Sequence, residues 1–216
     1  MTRTKTKPAK AASAQGRELL RQLSRLTPEM IATIRPMVEL ESPSFDKPAV
    51  DRLGAWLATE FQRLGARVRF HRAQQCGDHL QADFAGASTS RGRVLLMGHI
   101  DTVWDIGTLA NMPFRQEKGR LWGPGVLDMK AGIAQMMFAI DGLRRLRGDL
   151  PRPVTVLLVA DEEVGSNSSR PVTEALARQS AAVLVLEPAF GRRGALKTAR
   201  KGVGDYTVTV HGRAAH

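Results

Sequence analysis

Three apolar runs limit how this chain can fold: Val94-Leu95-Leu96-Met97, Val154-Thr155-Val156-Leu157-Leu158-Val159-Ala160 and Ala182-Val183-Leu184-Val185-Leu186. Unbroken runs of valine and leucine suit strands covered by helices on both faces, whereas a strand with one wet face would alternate. Between the first two lies a long loop, residues 104–127, and then a helical pattern in which Ile133, Met136, Met137, Ile140 and Leu143 recur at three- and four-residue spacing. Strand, helix, strand, helix, strand predicts an α/β fold with a mostly parallel sheet and flanking helices. Upstream, Val50, Leu53, Leu57, Phe61 and Leu64 predict an amphipathic helix that stops at Gly65. Thr27-Pro28-Glu29 reads as an earlier helix start, with the Thr27 hydroxyl as cap and the helix running to about Leu40. Val68 and Phe70, then Leu80, Ala82 and Phe84, alternate with polar neighbours and predict two half-buried strands.

At 216 residues, 43% of them apolar, the chain can enclose one good core, or one domain and the start of another. No apolar stretch reaches the roughly 18 residues of a membrane span, and the basic, Ala/Ser-rich first 16 residues lack the apolar centre of a secretory signal. The expectation is a soluble protein with no membrane partner and, by default, a cytoplasmic location with export left open. A single cysteine, Cys76, cannot form an internal disulfide and reads as an inert thiol. The formal charge of +11 raises the question of nucleic acid. Residues 1–26 hold seven Lys/Arg against Glu18 alone, so +6 of the +11 sits in the tail and first helix. With no aromatic side chain to stack on bases, residues 1–15 read as a basic disordered tail, and no specific nucleic-acid binding is expected.

Each apolar run delivers chemistry at its end. Gly98-His99-Ile100-Asp101-Thr102 comes after the first, and ligands of open α/β sheets gather at the carboxyl ends of strands. The His99 imidazole suits zinc, and Asp101, on the same side of an extended segment, can orient it through the other ring nitrogen. A loop histidine beside a solvated acid explains the pair equally well. Asp128 stands where the Ile133 helix begins, either as an N-cap or as a carboxylate whose two oxygens bridge a pair of cations. Asp161-Glu162-Glu163 closes the second run; three adjacent carboxylates repel one another unless cations or protons neutralise them, or unless they form a solvated turn. Glu187 comes after the third run, ahead of Pro188, and by itself is a loop acid. The combination decides, because three strands bring His or carboxylate to one sheet edge. Imidazole plus hard oxygen ligands favours zinc, manganese or cobalt.

These segments, with Trp122-Gly123-Pro124-Gly125-Val126-Leu127-Asp128-Met129-Lys130-Ala131-Gly132 and Leu186-Glu187-Pro188 among them, resemble the successive motifs of a di-zinc aminoacylase and carboxypeptidase family. That family includes acetylornithine deacetylase, succinyl-diaminopimelate desuccinylase and glutamate carboxypeptidase of the carboxypeptidase G type, the last being the most similar in wording. The resemblance implies two Zn2+ ions, with Co2+ or Mn2+ possible substitutes. His99 and Glu187 would bind one, Glu163 the other, and Asp128 both. It makes Asp101 the orienting residue for His99. Glu162 becomes the general base, its side chain opposite that of Glu163 on an extended segment. It implies hydrolysis of an amide beside a free carboxylate in a small peptide or N-acyl amino acid, with an acyl- or peptidyl-glutamate foremost and N-acyl amino acid deacylation as the alternative. A non-catalytic fragment with an anion-binding tail is the reading from outside enzymology.

By the same resemblance, residues 16–190 are the N-terminal part of a catalytic zinc-binding domain. Residues 191–216 begin a smaller α+β dimerisation domain, in which His216 reaches the site of a second subunit and helps hold the oxyanion. Strand patterns at 194–200 and 203–210 fit that start, and His211 matches no functional position. The chain ends directly after them, so it is expected to be truncated, to lack a late histidine ligand of the second zinc, and to show little turnover alone.

Overall fold

The computed structural model describes residues 13–88, 92–191, 194–202, 204 and 206–213. The N-terminal half forms α1 (Ala14–Arg25), α2 (Thr27–Glu39) and α3 (Lys47–Arg63). Ala14 and Gln15 already belong to α1, so the helix begins inside the stretch expected to be a tail, and Ser13 caps it by accepting from the Gly16 amide. α2 starts at Thr27 itself: Leu26 is the cap, no side chain caps the helix, and the Thr27 hydroxyl instead donates to the Ser24 carbonyl. In α3, Asp46 caps by accepting from Ala49, and the chain leaves the helix through Gly65, whose φ of +85° suits glycine.

Beyond the helices, five strands make one sheet, β1 (Arg67–His71), β2 (His79–Phe84), β3 (Arg93–His99), β6 (Val154–Val159) and β7 (Ser180–Val185), in the order β1-β2-β6-β3-β7. β3 pairs in parallel with both β6 and β7, while β2 is antiparallel to β1 and to β6. Four of the five strands therefore point the same way and β2 alone is reversed. The long connection after β3 is not wholly irregular, for it holds a small antiparallel hairpin, β4 (Arg115–Glu117) with β5 (Arg120–Trp122). α4 (Ala131–Arg147) and α5 (Arg170–Arg178) make the crossovers.

The alternation of side chains along each strand divides the core in two. Leu80, Ala82, Leu96, Val156 and Leu158 pack with Met37, Leu53, Leu57, Phe61, Ile133 and Met136 from α2, α3 and α4. Leu95, Leu157 and Val159 face the other way, onto Leu176 and Val172 of α5. Each fully buried leucine stabilises the fold by about 2 kcal/mol relative to exposure, so the larger face anchors the sheet. β7, at the edge, is only partly covered, with Val183, Leu184 and Val185 between 39% and 57% exposed. The strands expected at 194–200 and 203–210 do not form among the described residues: Phe190 and Ala195 make one isolated bridge, and Tyr206, Val208 and Val210 are exposed. A strand needs a ladder partner, and a lone hairpin is marginal in water.

Candidate metal centre

The carboxyl ends of β3, β6 and β7 converge. His99 is the last residue of β3, Glu162 and Glu163 come after β6 in a short 3-10 turn, and Glu187 lies just beyond β7. The turn replaces the extended segment expected at 162–163, so the two glutamates do not simply face opposite sides. Asp128 reaches the same place from the segment before α4. It does not cap that helix, whose cap position is Lys130 without a side-chain bond; its Oδ1 lies instead 2.9 Å from His99 Nε2. Gly132 makes this approach possible. A Cβ there would lie 2.1 Å from the Leu186 carbonyl oxygen, so α4 can begin flush against the end of β7 only with glycine at that position.

The imidazole of His99 is 1% exposed and its hydrogen bonding defines its state. Nδ1 lies 2.9 Å from the Asp101 main-chain oxygen, which can only accept, so Nδ1 carries a proton. Nε2 then points its second position at acids, 2.9 Å from Asp128 Oδ1 and 3.3 Å from Glu187 Oε1. Two negative oxygens do not sit against a bare lone pair; a proton or a cation belongs between them. Burial works against a proton on His99, yet the carboxylates of Asp101, Glu187 and Asp128 outweigh it and raise its pKa to about 11. The acids around it divide. Glu187 is held below the usual carboxylate range by His99, against its burial. Glu162 and Glu163 are pushed up, first by burial and then by their acidic neighbours, with His99 opposing. Burial of acids in excess of local cations is a site for an added cation.

Ligand geometry agrees. One nitrogen or oxygen from each of His99, Asp128 and Glu163 lies within 4.8 Å of the others, and the same holds for His99, Glu162 and Glu187. The residues present therefore fit metal binding, and both Glu162 and Glu163 are within reach. Distance alone does not separate a ligand from a base.

Asp101 is fully buried, and its carboxylate does more than the sequence suggests. It lies 3.5 Å from His99 Nδ1, which bonds the main-chain oxygen instead, and it accepts from the Ser44 hydroxyl and from the amides of Glu162 and Glu163 at 3.2 Å each. It ties the acidic turn to β3. Burial would raise its pKa, but His99, Ser44 and the Glu163 amide lower it. Asp161 belongs to the frame as well, since its Oδ2 accepts from the Ser168 and Ser169 amides ahead of α5. Sequence reasoning gave Asp161 no role of its own and missed Ser44 and His79, whose partners Asp101 and Ala160 lie 57 and 81 residues away along the chain and so leave no spacing signal. His216 lies outside the described residues, and His211 is exposed. Cys76 is buried, which pushes its thiol pKa up.

A cavity of about 740 Å3 opens over this edge. His99, Asp128, Glu162 and Glu187 form its acidic wall, and Arg170, Lys197 and Arg200 also line it. No helix among the described residues is long and apolar enough to cross a membrane.

The profile of the family described as Peptidase family M20/M25/M40 matches residues 95–215. Carboxypeptidase G2 of Pseudomonas sp. (strain RS-16) is 31% identical over 191 residues, which is 88% of this chain and 46% of that protein. The chain thus spans about half the length of this curated relative. Human carnosine dipeptidase 1 superposes with a TM-score of 0.66 at 21% identity, over 78% of this chain and 40% of that one. An M20 family metallo-carboxypeptidase from Sulfolobus solfataricus superposes with a TM-score of 0.64 at 16% identity, over 77% and 39%. At those identities the structural matches establish the fold.

Proposed function

The chain belongs to peptidase family M20/M25/M40, and from that premise we propose that it forms the metal-binding part of a two-zinc hydrolase that cleaves an amide beside a free carboxylate, with a C-terminal glutamate the foremost substrate group. The observation that carries this reading is the aim of His99 Nε2 at the Asp128 and Glu187 carboxylates while Nδ1 is fixed by a carbonyl. That is the arrangement of a metal-ligating imidazole, whose second nitrogen donates to an oxygen behind it.

His99 and Glu187 would hold one ion and Glu163 the other, with Asp128 serving both. Bound cations polarise a scissile carbonyl and generate a nucleophile near neutral pH. Glu162 takes a proton from the attacking water and returns it to the leaving amine, and burial among acids raises its proton affinity toward that task. Asp101 keeps Glu162 in place through its amide. Arg170, Lys197 and Arg200 supply the positive charge that a substrate carboxylate needs at the cavity wall. A homodimer in the cytoplasm, in which the partner copy closes the site, completes this reading.

The test is hydrolysis of folyl-glutamate and of N-acyl amino acids by the purified full-length protein. EDTA should abolish it and zinc should restore it, with the glutamate substrate preferred. Turnover that survives exhaustive chelation overturns the proposal, and turnover of the acyl amino acids alone assigns deacylation instead.

A further inference from the structure

A second buried histidine stands near this site and has no part in the chemistry above. His79, 2% exposed, opens β2, and because β2 is the reversed strand its first residue lies at the edge where β3 and β6 end. One ligand atom from each of His79, Cys76 and Asp161 lies within 4.8 Å of the others, so proximity alone would suggest a further metal site. The direction of the hydrogen bonds opposes it. The Ala160 amide donates to His79 Nδ1 at 3.1 Å, and an amide can only donate. The neutral ring therefore carries its proton on Nε2, which lies 3.1 Å from the Ser168 hydroxyl. A metal-ligating imidazole keeps one nitrogen's lone pair for the ion, whereas the only lone pair of this ring is already taken by the Ala160 amide.

These two bonds fasten a loop at both ends. Ala160 enters the segment that presents Glu162 and Glu163, and Ser168 leaves it for α5. Within it, the Ser166 amide bonds the Asp161 carbonyl and the Ser168 and Ser169 amides bond Asp161 Oδ2. Asp161 Oδ1 is buried with no partner among the described residues, so Asp161 holds the loop through one oxygen. We propose that His79 is a positioning residue for the reaction assigned to this site, clamping residues 160–168 so that Glu162 and Glu163 meet the metal centre at a fixed place. This rests on the reading of the site as a two-metal hydrolase. Burial lowers the pKa of His79, which keeps the ring neutral and able to accept from Ala160.

Three variants test it in the zinc-loaded full-length protein. His79→Leu removes both bonds; His79→Asn puts an amide oxygen near the position of Nδ1 and can still accept from Ala160; Ser168→Ala removes the outer bond alone. His79→Leu should lower kcat about tenfold or more with KM within a factor of two and full zinc content. His79→Asn should recover most of that loss, and Ser168→Ala should lose only a few-fold. In parallel, amide hydrogen exchange across 160–168 should quicken at least tenfold in His79→Leu and return toward wild type in His79→Asn. The exchange readout needs no turnover, so a full-length wild type that proves inactive sinks the functional reading while the clamp is still judged. Should His79→Leu not fold, the same comparison runs between wild type, His79→Asn and Ser168→Ala. Unchanged exchange and unchanged kcat in the variants overturn the clamp, as does a KM effect without a kcat effect.

Discussion

His99 and His79 are both buried at one edge of one sheet, and they are wired in opposite senses. His99 donates through Nδ1 to a main-chain oxygen and turns Nε2 toward acids, whereas His79 accepts through Nδ1 from a main-chain amide and keeps its proton on Nε2. Their proton affinities separate accordingly, that of His99 raised to about 11 and that of His79 lowered by burial. Whether a buried imidazole serves a cation or a backbone is thus decided by the main-chain atom behind the ring. Counting histidines, cysteines and acids within a few ångströms does not make that distinction; the direction of one hydrogen bond does.

The widest gap between the two regions should appear on removing the proton carrier next to the His99 side. Glu162→Gln should lower kcat by about 10³-fold, equivalent to about 4 kcal/mol, while zinc content stays at wild type. A loss under tenfold would move the base elsewhere. Metal binding itself should sort the histidines next. Zinc at about 100 times its Kd should stabilise the wild type and His79→Asn by about 2.7 kcal/mol, and His99→Ala by far less, as read by thermal unfolding. Equal responses of the two variants would erase the contrast.

Asp78 provides a smaller test on the His79 side. It is buried, bonded to Lys47 at 2.7 Å, to Arg72 and to the Ala73 amide, and it precedes His79 directly. Burial would raise its pKa, but those partners lower it. Asp78→Asn should cost about 2 kcal/mol, from the usual strength of hydrogen bonds to a charged group, without changing zinc content. The wild-type increment is present above the ordinary carboxylate value of 3.8 and is lost as pH falls through the lower folded value. The smallest effect is a slope. A histidine whose folded pKa is below 6.5 binds fewer protons folded than unfolded, so stability falls with pH below 6.5. His99, whose folded pKa is raised, contributes a slope of opposite sign near 6.5 in the wild type and in His79→Asn alike, so comparing the two cancels it. His79→Asn should flatten the dependence of chemical-denaturation stability on pH between about 5 and 6.5, and an unchanged slope would mean that His79 is not held neutral.

Much of this was legible in the sequence, for reasons visible in particular residues. The runs at 94–97 and 154–160 are strands of the central sheet whose side chains pack on both faces, while the run at 182–186 forms the edge strand β7 and is left largely exposed; His99, Glu162, Glu163 and Glu187 stand at or just past the ends of those runs. Asp128 is ambiguous in sequence, since a helix start and a metal ligand ask for the same residue; in the structure it does not cap α4, and its Oδ1 lies 2.9 Å from His99 Nε2. The hairpin at 115–122 was hidden because each of its strands is three residues long, too short for a period to repeat. The strand patterns after 194 are real as patterns, but a period of two specifies a face and not a partner. The spacing pairs Asp101 with His99, and it does face that ring, its main-chain oxygen 2.9 Å and its Oδ1 3.5 Å from Nδ1, but its carboxylate also accepts from amides 61 and 62 residues away, which spacing does not reveal.

The reversal of β2 has a bearing on how this scaffold tolerates change. The connection at 72–78 opens on the same side as the loop at 160–168, because β1 ends and β2 begins there, while β2 ends and β3 begins at the far side of the sheet. A length change in the first is carried through Asp78 and His79 to Ala160, so insertions there should be felt as altered chemistry. Insertions between β2 and β3 act at the end away from the reaction, and that is where a tag, a label or an appended module belongs.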